Sequence, residues 1–143
     1  MSASPTNRSK TRAPLLRPLR RPRRWLALWL LLIALVIGAS LLPAGRLPAP
    51  SFAGIDKLEH FLAYALLSAY AVMLFARMRA QAWTAAGLVV LGVGLEYAQA
   101  LLTDSRLGDL RDAMANTLGV LAGLLTASTR LARLLQRLDA RLP

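Results

Sequence analysis

Cysteine is missing from all 143 residues, which excludes disulfides, thiol catalysis, thiolate metal sites and lipid attachment through cysteine. Histidine occurs once, as His60, so a zinc centre built on several imidazoles is excluded too. Acids are scarce: seven Asp and Glu stand against 18 Lys and Arg. There is no glycine-rich phosphate loop, and a nucleotide cofactor held by one has no place here. No cofactor and no resident metal are expected, although the carboxylates offer oxygen ligands to a hard cation.

What the chain has in abundance is apolar length. Hydrophobic residues make up 56% and the mean hydropathy is +0.46, high for a soluble chain of one domain and in keeping with transmembrane helices. The formal charge of +11 raises the question of nucleic acid. Yet the basic residues do not interleave with aromatics, and no helix-turn-helix, finger or RNA-binding signature occurs. Arginine clusters beside apolar runs are what membrane topology requires, so no nucleic-acid partner is expected.

Residues 1–24 read as a disordered basic tail lying on anionic headgroups. The first apolar run, 25–42, has no charge and is just long enough to cross the hydrocarbon core, with Trp25 and Trp29 suited to the interface. It exceeds a signal-peptide core and lacks a small-residue cleavage site. Further spans are expected at about 58–75, 83–102 and 113–128. Residues 129–143 carry Arg130, Arg133, Arg137 and Arg141 among leucines at helical spacing, which reads as an amphipathic extension along the interface. The fold expected is all-α: a polytopic antiparallel bundle of four transmembrane helices. With the N-terminus in the cytosol, 14 of the 18 Lys and Arg fall on the cytosolic side, and both termini are cytosolic by the positive-inside rule.

Six of the seven acids then gather between residues 56 and 112, at helix ends on the outer side: Asp56, Glu59, Glu96, Asp104, Asp109 and Asp112. Lys57, His60 and Tyr64 share one face of the second span at i, i+3, i+7, and Asp56 stands four residues before His60, in position to orient it. Glu96 and Gln99 lie on the third span, with Glu96 about 9 Å below its outer end. Asp112, Asn116, Gly119 and Gly123 form one stripe on the fourth. An ionised group inside a span costs about 2.5–3.5 kcal/mol at the centre on insertion scales, so Glu96 must face the interior and find a partner in Lys57, His60 or Arg106. Gly119 and Gly123 make a small-xxx-small stripe for close helix approach.

At these residues the chain resembles the VanZ-like family of small integral membrane proteins. The motifs are Asp56-Lys57-x-x-His60-Phe61-x-x-Tyr64-x-x-Leu67, then Glu96-x-x-Gln99. The third is Arg106-x-x-Asp109-x-x-Asp112-x-x-x-Asn116-x-x-Gly119-x-x-x-Gly123. The resemblance spans residues 56–123 and implies a helical bundle in the bacterial cytoplasmic membrane. The family is named for a member associated with low-level resistance to the glycopeptide teicoplanin, which implies a role in the cell envelope and brings no reaction with it.

Two readings of the polar cluster follow. In the first it binds or processes an anionic envelope component, such as a lipid-linked headgroup at the outer leaflet. Lys57 and Arg106 hold the anion, with Tyr64, Gln99, Asp109 and Asn116 as further ligand-binding candidates. His60, Glu96, Asp56 and Asp112 are the candidates for acid–base catalysis should the ligand be processed. In the second the charges are interhelical glue and the protein is a membrane scaffold. Membrane lipids are partners in either, and the Gly-rich third and fourth spans permit a homo-oligomer.

Overall fold

The computed structural model describes residues 14–42, 54–102 and 109–142. Five α-helices carry the chain: α1 Pro22–Ser40, α2 Ile55–Leu74, α3 Met78–Leu102, α4 Leu110–Leu125 and α5 Leu134–Arg141. Two 3-10 turns, Thr126–Ser128 and Arg130–Arg133, join α4 to α5. Among the described residues the only β-type pairing is an isolated antiparallel bridge between Leu16 and Phe75.

Local chemistry sets the helix ends. Pro22 occupies the first turn of α1, where its missing N–H costs nothing. Gly54 precedes α2 at φ 86°, a left-handed conformation that a side chain would strain. Asp109 caps α4 by accepting from the backbone N–H of Arg111 at 2.8 Å. The end of the chain turns off the axis of α4. Thr129 turns extended, and the axis bends by 76° between Leu110–Ser128 and Arg130–Arg141.

Two helices, Pro22–Ser40 and Met78–Leu101, are long and apolar enough to cross a membrane, or three spans if the bent pair counts as one. Helix α2 carries Asp56, Lys57, Glu59 and His60 in its first two turns, and α4 has only 16 residues. The surface is apolar: Leu31, Leu35, Leu66, Trp83, Val90, Tyr97, Leu101 and Leu125 are all more than half exposed. So much exposed apolar area belongs to a protein whose solvent is lipid.

Helices α2 and α4 form the tightest contact. A Cβ on Gly119 would strike the Phe61 carbonyl oxygen, and one on Gly123 would strike that of Ala65. The two helices therefore touch backbone to backbone, and Ser68 adds a buried hydrogen bond from its hydroxyl to the Val120 carbonyl at 2.8 Å. Contacts climb together, from Lys57 with Asp112 to Ala65 with Gly123, so α2 and α4 run in the same sense. Helix α3 joins them where Gly92 faces Asn116 and Tyr64; a Cβ there would lie 3.0 Å from the Asn116 Cβ.

Trp25 and Trp29, the tryptophans of the first apolar run, both anchor α1 to the rest of the molecule. Trp29 is buried, donates from Nε1 to the Leu67 carbonyl at 3.0 Å, and meets Phe75 edge-on at 6.1 Å. The Trp25 indole N–H donates to Asp139 at 2.8 Å, and the Tyr70 hydroxyl donates to the Trp25 carbonyl at 3.1 Å.

The end of the N-terminal tail also departs from the disorder expected of residues 1–24. The Arg17 N–H bonds the Leu74 carbonyl at 2.8 Å, and the Ala76 N–H bonds the Leu15 carbonyl at 2.9 Å. This seals the turn between α2 and α3. Asp139 completes that end of the molecule: it is 1% exposed and accepts from Trp25 Nε1 and the Arg20 backbone N–H. Burial alone raises its carboxyl, but those hydrogen bonds and nearby Arg21 win and hold it below the usual 3.8.

Candidate functional site

At the opposite end of the bundle, the start of α2, the end of α3 and the start of α4 bring their polar residues together. Lys57 sits at the rim. Its ammonium lies 2.9 Å from Asp56, 3.1 Å from Asp109 and 3.1 Å from Asp112. One cation thus ties α2 to the cap of α4. Asp109 is held below the ordinary carboxylate range by the Arg111 backbone N–H and by Lys57.

One turn deeper, His60 Nδ1 faces Asn116 Oδ1 at 3.1 Å. An amide oxygen only accepts, so Nδ1 donates to it. Nε2 faces Asp112 Oδ2 at 4.0 Å, while Glu96 Oε1 lies 3.9 Å from Nδ1. Glu96 is buried at 6% exposure, and its Oε2 accepts from the Asp109 backbone N–H at 3.2 Å. His60, Glu96 and Asp112 each offer a ligand atom within 4.8 Å of the others.

Most of the expected residues do converge, with some roles exchanged. Asp56 does not orient His60: its carboxylate turns to Lys57 and is half exposed. Asn116, expected to position a ligand, holds the imidazole instead. Gln99 donates to the Ser40 carbonyl at 2.8 Å and fastens α3 to the end of α1. Tyr64 is 1% exposed, and its hydroxyl has no hydrogen-bond partner among the described residues. Arg106 and Asp104 lie outside the described residues. Lys57 is not available as a bare anion-binding cation, since three carboxylates already surround it.

Two residues escaped the sequence reading. Ser68 continues the Lys57, His60, Tyr64 face at i+11, a signal that was there to be read. Asp139 is the seventh acid, alone in an arginine-rich helix, where a buried partner is the simplest reason for an acid.

Beside the cluster a pocket opens between α3 and α4, with a volume of about 280 Å³. Val93, Tyr97, Ala100, Leu110 and Ala113 line its apolar walls, and Glu96 and Asp109 its polar end. That pairing suits an amphiphile, with an acyl or prenyl chain along the wall and a polar group at the cluster.

A family model described as VanZ/LLP1 matches residues 2–133. Comparison with curated proteins and with solved structures finds no match.

Proposed function

The chain belongs to the VanZ/LLP1 family, and from that premise we propose that its polar end binds the phosphate-bearing headgroup of a lipid-linked envelope component. In this reading α1 to α4 cross the bacterial inner membrane as an antiparallel bundle with both termini cytosolic. The His60 cluster then lies at the outer leaflet. Residues 129–143 lie along the cytosolic face, where their arginines meet anionic lipids.

The observation that carries the proposal is the pocket between α3 and α4. Its apolar wall opens toward the exposed lipid-facing side chains Tyr97 and Leu110 and ends at Glu96 and Asp109. A ligand arriving from the bilayer reaches the cluster without leaving an apolar surface. The charge bias supports the orientation, since the short loops are where that bias decides topology.

The scaffold reading has its own support: Lys57 is fully engaged, and the Gly119–Gly123 stripe locks α2 against α4. Substitutions separate the two. His60→Ala, Glu96→Gln and Arg106→Ala, scored for folded yield and for envelope-stress or glycopeptide sensitivity, keep full yield and lose the phenotype if the cluster is a site. Loss of yield across the set, or an unchanged phenotype at full yield, supports the scaffold.

A further inference from the structure

We propose that His60, Glu96 and Asp112 form a divalent-cation site, with Mn²⁺ or Mg²⁺ as the chemistry it fits. One imidazole and two carboxylates make a hard to borderline set, suited to these ions rather than to thiophilic ones.

The three groups are placed as ligands, each with its other polar atom held by a neighbour. Asn116 Oδ1 accepts from His60 Nδ1 at 3.1 Å, which turns Nε2 toward Asp112. Lys57 holds Asp112 Oδ1 at 3.1 Å and leaves Oδ2 facing the imidazole. The Asp109 backbone N–H holds Glu96 Oε2 at 3.2 Å. Outer-shell hydrogen bonds of this kind orient the ligands of metal sites. Nε2 and Asp112 Oδ2 lie 4.0 Å apart, and a cation between them would be held by both. The three ligand atoms lie within 4.8 Å of one another, against the about 3 Å spacing that bonds near 2.1 Å require.

A second, independent observation is the Tyr64 hydroxyl. It is on a side chain 1% exposed, has no hydrogen-bond partner among the described residues, and interacts electrostatically with Glu96. An orphaned buried hydroxyl beside a carboxylate costs free energy. A small hard cation keeps several waters, and one of them supplies the partner. Asp56, Asp109 and Asp112 share the one Lys57 ammonium, so the rim of the cluster is rich in carboxylate. Direct binding of a phosphate there is unfavourable, and a bridging dication reverses that. In this last respect the inference deepens the headgroup reading; the cation site itself does not depend on it.

The test uses the full chain in maltoside detergent, which carries no phosphate, stripped with EDTA and titrated with Mn²⁺ by electron paramagnetic resonance. One saturable ion per chain is expected, with ¹⁴N coupling from a directly bound imidazole. His60→Gln should remove that coupling. Glu96→Gln and Asp112→Asn should each weaken binding about tenfold or more, and Glu59→Gln should leave it unchanged. Absence of saturable binding, or of ¹⁴N coupling in the unsubstituted protein, overturns the site whether or not any variant folds. Lipid that co-purifies in a cluster-dependent way without Mn²⁺ binding would sink the cation alone, while Mn²⁺ binding without lipid would sink the headgroup reading alone.

Discussion

Replacing Gly123 with alanine probes the contact on which the site is built. An added Cβ would strike the Ala65 carbonyl oxygen and lie 2.6 Å from the Ser68 Cβ and 2.7 Å from the Ala69 nitrogen. Two of those three neighbours are backbone atoms, which cannot rotate away, so α2 and α4 must separate. Overpacking of this kind costs about 1–3 kcal/mol. Alanine's better helix propensity returns about 1 kcal/mol, leaving a net loss of up to about 2 kcal/mol. Gly119→Ala meets the Phe61 carbonyl oxygen in the same way and should cost as much. The control is Gly87→Ala or Gly94→Ala, where nothing lies within 4 Å of the new Cβ; these should be neutral or stabilising by up to about 1 kcal/mol. Thermal unfolding in detergent, followed by helicity, should fall by several degrees for Gly119 and Gly123 and hold or rise for Gly87 and Gly94. Equal behaviour of the two pairs would refute backbone-level contact between α2 and α4.

Gly92→Ala pushes on Asn116 and Tyr64 at 3.0–3.2 Å; near-normal stability is expected with a shifted His60 resonance, and an unchanged imidazole environment would count against the arrangement. Asn116→Ala removes the group that holds His60 and should weaken Mn²⁺ binding by about 10–100-fold, read in the same titration. Asp139 is held below 3.8 by its hydrogen bonds, so its contribution to stability is fully present above that value and lost as pH falls through the depressed one. An acid melt should show that loss in the wild type and a weaker pH dependence in Asp139→Asn; identical profiles would contradict it. A cysteine at Asp104 should label from outside the cell and one at Ala140 only after permeabilisation, while the reverse pattern would invert the proposed orientation.

The parts of the molecule that rest on local spacing were legible in the sequence. Lys57, His60, Asp112, Asn116, Gly119 and Gly123 follow the helical period, and the structure brings those stripes together because α2 and α4 run in the same sense. The exchanged roles of Asp56 and Asn116 were not legible. Sequence proximity favours Asp56 as the partner of His60, but the nearer Lys57 captures that carboxylate, while the packing of α4 delivers Asn116 to the ring. The N-terminal segment misled for another reason. Its composition is that of a disordered tail, and its order comes from backbone bonds with Leu74 and Ala76, far along the chain. No local pattern encodes a partner so distant. Asp139 bonding to Trp25 across 114 residues is the same case.

The central claim is that the His60 end of the bundle holds a phosphate-bearing lipid, and native mass spectrometry of the purified protein tests it most directly. The account predicts a retained phospholipid or lipid-linked headgroup on the wild type, lost from Glu96→Gln and His60→Ala proteins that fold normally. The same lipid retained equally by those variants would contradict it.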